Sequence, residues 1–154
     1  MSLFVWLEST VLARSVGESL MFTASLSAVH LLGFTLVMGS ALLVNLRLLD
    51  VLLPQRTLTE VTRPASRAIA LGLAISLATG VLLFSARAIS AAENSTFQLK
   101  MLLLLAAVVF HFIIQSRVTR RPQSGVLALR MTAVSGLTLW MGLAVTACWY
   151  ILFE

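Results

Sequence analysis

Four long apolar stretches constrain this chain more than any other feature. A bilayer's hydrocarbon core takes about 20 consecutive, mostly apolar residues in a helix. Residues about 20–49, 65–91, 97–118 and 126–153 meet that requirement. Composition agrees: of 154 residues, 59% are hydrophobic and only 11% are charged, against about 25% charged in soluble domains. One globular core cannot absorb so much apolar surface, which excludes a water-soluble monomer. Disorder is excluded as well, because it needs low hydrophobicity and abundant charge.

The connectors LPQRTLTEVTRP, AENSTFQ and RVTRRPQSG carry the polar residues and prolines expected where a helix leaves the membrane. Pro64 is suited to the first turn of the second span, and Ser95 or Thr96 to capping the third. Ahead of the first span, Leu3, Leu7 and Val11 recur at i, i+4 and i+8, with Glu8 and Ser9 on a polar side. This pattern predicts an interfacial amphipathic helix over about 2–14, with Trp6 at headgroup depth. The expected fold is therefore all-α, a four-transmembrane-helix bundle with that N-terminal helix, in a single membrane domain over 1–154.

Eleven basic and six acidic residues give a net charge of +5. Arg47, Arg56, Arg63, Arg67, Arg117, Arg120, Arg121 and Arg130 flank two connectors on one side of the expected bundle, whereas Arg14, Arg87 and Lys100 lie on the other. The positive-inside rule then places the Arg-rich loops in the cytoplasm and both termini outside. Bases distributed this way are topology signals and contacts for anionic membrane lipid, and they leave no basic face for nucleic acid. Cys148 is the only cysteine, so no internal disulfide can form.

Association of helices in lipid depends on small residues that let backbones approach. Ala68, Gly72, Ser76 and Gly80 repeat at four-residue spacing in the second span; Gly33 in the first and Gly136 and Gly142 in the fourth add similar gaps. Such stripes pack the bundle internally, or against a second copy or a larger membrane complex. At the membrane edge Arg47 and Asp50 are spaced i, i+3 to pair. With Arg63 and Arg67 they form an expected ion cluster or lipid-headgroup site.

His30 and His111 are the histidines within the spans. Ionisable groups at that depth are functional candidates, and paired membrane histidines can hold haem b. Copper or quinone are other possible ligands. The bland reading is a hydrogen-bonded packing role, with Ser27 and Thr23 beside His30 and Gln115 at i+4 from His111. Helix rise puts the two histidines about 6 Å apart in depth counted from the outer edge and about 16 Å from the inner edge, which disfavours one shared haem. No membrane carboxylate pair, Ser-His-Asp grouping or phosphate loop is evident, so no catalytic centre is expected.

Val29-His30-Leu31-Leu32-Gly33-Phe34, Asn45-Leu46-Arg47-Leu48-Leu49, Thr79-Gly80-Val81-Leu82-Leu83-Phe84 and Phe97-Gln98-Leu99-Lys100 together resemble a family of small bacterial four-helix integral membrane proteins classed as a domain of unknown function. The resemblance implies a bacterial inner-membrane location and supplies no activity. Looser likenesses are to four-helix b-type cytochromes and copper-resistance membrane proteins. The resulting expectation is a non-catalytic accessory or structural subunit, homo-oligomeric or part of a larger complex. The alternative is a redox or metal-handling protein using His30, His111 or both.

Overall fold

The structure, a computed structural model, describes residues 3–120 and 125–153. Every element among them is helical. Two short helices, α1 (Leu3–Glu8) and α2 (Val11–Glu18), precede α3 (Leu20–Leu48) and α4 (Leu58–Ser85). A short α5 (Ala88–Glu93) leads into α6 (Ser95–Val109), which continues through a π-helical turn (Phe110–Gln115) into α7 (Ser116–Arg120); α8 (Val126–Phe153) follows. Among the described residues, four helices are long and apolar enough to cross a membrane: Leu20–Leu48, Leu58–Ser85, Ser95–Arg120 and Val126–Trp149. The chain is a multi-pass membrane protein with an all-α four-helix fold. Its outward side chains, such as Leu32, Leu102 and Val145, are apolar and exposed, as lipid contact requires.

Local chemistry sets the helix ends, and it moves some of the expected boundaries. The second span begins at Leu58, not near Ala65, because Thr57 and Glu60 form a reciprocal capping box. Pro64 consequently lies inside the helix. Its missing N–H leaves only the carbonyl of Glu60 without an i+4 donor, and Glu60 is exposed, so the cost is small at this edge. Asn94, rather than Ser95 or Thr96, caps α6 by accepting from the Phe97 N–H at 2.8 Å.

The expected single interfacial helix is two helices. Thr10 breaks the run and caps α2. The side facing the bundle is Ala13 and Val16, both almost fully buried, while Val11 is exposed. Glu8 Oε1 accepts from the Ile89 N–H at 2.9 Å, which ties α1 to α5. Phe84 stacks on Phe97 at 5.4 Å and meets Phe4 edge-on at 6.3 Å. Arg121 and the side chain of Leu3 lie outside the described residues.

The small-residue stripe is used inside the bundle. A Cβ at Gly72 would stand 2.7 Å from the Gly33 carbonyl oxygen, and one at Gly33 would meet Ser76 Oγ at 2.7 Å. α3 and α4 therefore cross almost backbone to backbone. Further along α4, Gly80 lies against the His30 ring. Ala68 is half-buried. On α8, Gly136 packs on Asn45 of α3, and Gly142 faces Leu103 of α6. The central core is Val37, Ala41, Ile69, Leu73, Ala107, Trp140 and Leu143.

Candidate functional site

A polar chain runs through the apolar core near the Arg-rich end. Asn45, Gln115 and His111 are buried, at 0%, 1% and 2% exposure. Buried polar groups at membrane depth must be satisfied internally, and these are. Asn45 Nδ2 donates to the Ala41 carbonyl at 2.8 Å, and Gln115 Nε2 donates to Asn45 Oδ1 at 3.0 Å. His111 Nδ1 lies 2.8 Å from Gln115 Oε1, and Ser66 Oγ lies 3.1 Å from His111 Nε2.

The direction of this chain follows from its terminus. A backbone carbonyl only accepts, so the Asn45 atom facing Ala41 must be the amide nitrogen. Its oxygen then faces Gln115, which must donate with its own nitrogen. Gln115 presents its oxygen to His111, so His111 Nδ1 carries the proton. In the neutral imidazole, Nε2 is consequently the acceptor, and it receives the Ser66 hydroxyl. The carbonyl at one end fixes the tautomer of the ring at the other.

Two local features deliver this geometry. The π-helical turn carries both His111 and Gln115, and both of their side chains are buried. Such turns are rare and recur at functional sites. Gly136 supplies the second, since any Cβ there would stand 2.4 Å from Asn45 Oδ1. The His111 ring also meets Phe112 edge-on at 4.9 Å and Trp140 at 6.5 Å.

Beyond Ser66 and His111 opens a cavity of about 680 Å³ between α4 and the α6–α7 helix, within the roughly 300–1,000 Å³ typical of ligand sites. Arg63, Arg67 and Arg120 line it, with hydroxyls from Thr59, Thr62, Ser116 and Thr119. The described lining residues include no carboxylate. On α4, Arg63 lies three residues before Ser66 and Arg67 one residue after it, so these two arginines are within about 4.5 Å of helix rise of the cavity floor.

The expected ion cluster therefore divides in two. Arg47 pairs with Asp50 at 2.7 Å and also donates to the Arg56 carbonyl, wrapping the loop after α3 around its guanidinium. Arg63 and Arg67 face the cavity with Arg120 instead.

His30 is a separate site. Its Nδ1 lies 3.1 Å from Thr79 Oγ1, while Ser76 Oγ donates to its carbonyl. Thr23, expected beside His30, donates to the Val16 carbonyl. Ser66 and Thr79, the α4 partners of the two histidines, are 13 residues apart, or about 20 Å along the helix. The histidines cannot ligate one haem. No group of three or more His, Cys, Asp or Glu able to hold a metal ion exists among the described residues.

Sequence reasoning missed Ser66 and the role of Asn45. The available signal was Asn45 and Gln115 themselves, two amides near the Arg-rich end of otherwise apolar helices, on the first and third spans, which are expected to run parallel.

No curated protein and no solved structure matches the chain. The sequence profile of the family of unknown function DUF6644 matches residues 3–153, and the chain belongs to that family.

Proposed function

We propose that this protein is a ligand-binding subunit of a bacterial inner membrane, with its Arg-rich end in the cytoplasm and both termini outside. It has no bond-making centre of its own. It holds a small molecule in the α4/α6–α7 cavity, for use by a second copy or a larger membrane complex. The observation carrying this reading is the His111 Nε2 acceptor at the floor of a cavity of about 680 Å³. A core that needed only packing would not require a polar chain across three helices. The distribution of bases between the two ends supports the orientation.

The test is native mass spectrometry of protein extracted in mild detergent. A small molecule retained near one per chain by wild type and His30→Phe, and lost from His111→Phe, supports the reading. Retention by none of the three, or equal loss from both variants, refutes it.

One observation favours a redox or metal-handling reading. Metal-bound histidines usually donate their other ring N–H to a hydrogen-bond acceptor, as His111 does to Gln115. Nε2 would then be the single protein ligand to haem b or copper at this end, with the remaining ligand supplied from outside the chain. A reduced-minus-oxidised visible spectrum with metal analysis decides it: a sharp alpha band or stoichiometric copper, lost in His111→Phe but kept in His30→Phe, would establish this alternative.

A further inference from the structure

We infer that the cavity binds a phosphate group with no more than one ester bond, either inorganic phosphate or the phosphomonoester headgroup of a lipid such as phosphatidic acid. The inference rests on reading this cavity as a ligand site. Three guanidinium groups from two different helices line one concavity. None of the three has a hydrogen-bond or ion-pair partner among the described residues, in contrast to Arg47, which Asp50 and loop carbonyls occupy. Arginine's planar fork suits phosphate oxygens, and the lining carboxylates that would neutralise it are absent among the described residues.

The floor then restricts which anion fits. Nε2 of His111, held as an acceptor by the chain back to Ala41, would repel a fully deprotonated oxygen. It welcomes one that carries a proton. A phosphomonoester near neutral pH retains a P–OH that can donate to Nε2, while Ser66 turns its hydroxyl toward another phosphate oxygen and the arginines take the rest. Sulfate and phosphodiesters have comparable charge but no such proton. The arginines thus attract anions in general, and His111 selects the protonated ones.

The experiment measures thermal stabilisation of detergent-purified protein at fixed ionic strength and pH. The probes are inorganic phosphate, sulfate, and mixed micelles containing phosphatidic acid, phosphatidylglycerol or phosphatidylcholine. A rise of about 3 °C or more at saturation with phosphate identifies the free ion; a rise with phosphatidic acid alone identifies the lipid. Either supports the inference if sulfate and phosphatidylglycerol bind at least about tenfold more weakly, if R67Q/R120Q abolishes the rise, and if R47Q keeps it. Absence of any rise, equal stabilisation by sulfate or phosphatidylglycerol, or equal loss in R47Q overturns it. Failure of the two readings is distinguishable. A co-purified molecule lost in His111→Phe but retained in R67Q/R120Q sinks the phosphate assignment and leaves the ligand site standing. Phosphate binding that depends on Arg67 and Arg120 yet survives His111→Phe leaves an anion site and removes His111's role.

Discussion

Replacing Gly136 by alanine should damage the polar chain more than any other single-methyl addition on α8. The new Cβ would stand 2.4 Å from Asn45 Oδ1 and 3.1 Å from its Cγ. Ordinary contact begins near 3.4 Å, so the amide must retreat by about 1 Å. Asn45 has a short side chain fixed by bonds of 2.8 and 3.0 Å, and such a retreat takes the Gln115 bond out of range. Overpacking costs about 1–3 kcal/mol, and an interhelical hydrogen bond within a membrane protein adds about 0.6–1.7 kcal/mol. Alanine's better helix propensity returns up to about 1 kcal/mol. The net loss is about 1–3 kcal/mol. Gly39→Ala is the matched control, because a Cβ there meets nothing within 4 Å; it should be neutral or slightly stabilising. The two variants are thus about 1–4 kcal/mol apart, and at about 2–4 °C per kcal/mol they should differ in Tm by roughly 2–16 °C. Thermal denaturation in detergent, followed by tryptophan fluorescence, reads the difference directly. Equal Tm values for G136A and G39A would refute the packing of Gly136 on Asn45.

Three further outcomes follow from the same geometry. Gln115→Leu strands both the His111 Nδ1–H and Asn45 Oδ1, so it should cost about 2–4 kcal/mol; the N45L/Q115L double variant should cost less than the sum of the singles by about 1 kcal/mol, and additive values in equilibrium unfolding would contradict a shared chain. Gly72→Ala pushes against the Gly33 carbonyl at 2.7 Å, which should separate α3 from α4 and lower stability by about 2 kcal/mol or more; an unchanged Tm would show that the helices are not in close contact there. Leu53 sits at φ 53° in the loop after α3, where a side chain costs about 1–2 kcal/mol. Leu53→Gly should therefore raise Tm slightly, and a marked fall would mean that the Leu53 side chain holds the loop.

The spans were legible because length and hydropathy leave a membrane chain few choices. Their ends were less so. Pro64 reads as a helix start, yet the Thr57/Glu60 capping box acts earlier, and a proline early in a helix, at an edge where water can satisfy the freed carbonyl, does not stop it. At α6 three adjacent capping residues compete, and Asn94 wins by geometry that the sequence does not encode locally. The separation of the two histidines was visible in outline from helix rise alone. What joins His111 to Ser66 and Asn45 was not, because it depends on helix rotation, and the π-helical turn at Phe110–Gln115 changes that rotation midway along the third span. Arg120 was legible as a topology signal, but its place beside Arg63 and Arg67 emerges only once α4 and α7 are packed.

The ligand site depends on His111 being held with its proton on Nδ1 and its Nε2 lone pair toward Ser66 and the cavity. Nitrogen-15 NMR of protein with labelled histidine, in lipid, tests it most directly. His111 is assigned by comparing wild type with His30→Phe. The expected spectrum is that of a neutral ring with a protonated, pyrrole-type Nδ1 and an unprotonated, pyridine-type Nε2. Gln115→Leu should release that preference. A wild-type ring protonated at Nε2 with a bare Nδ1 would require Gln115 and Asn45 to flip, setting Asn45 Oδ1 against the Ala41 carbonyl oxygen, and would rule out this hydrogen-bonded chain.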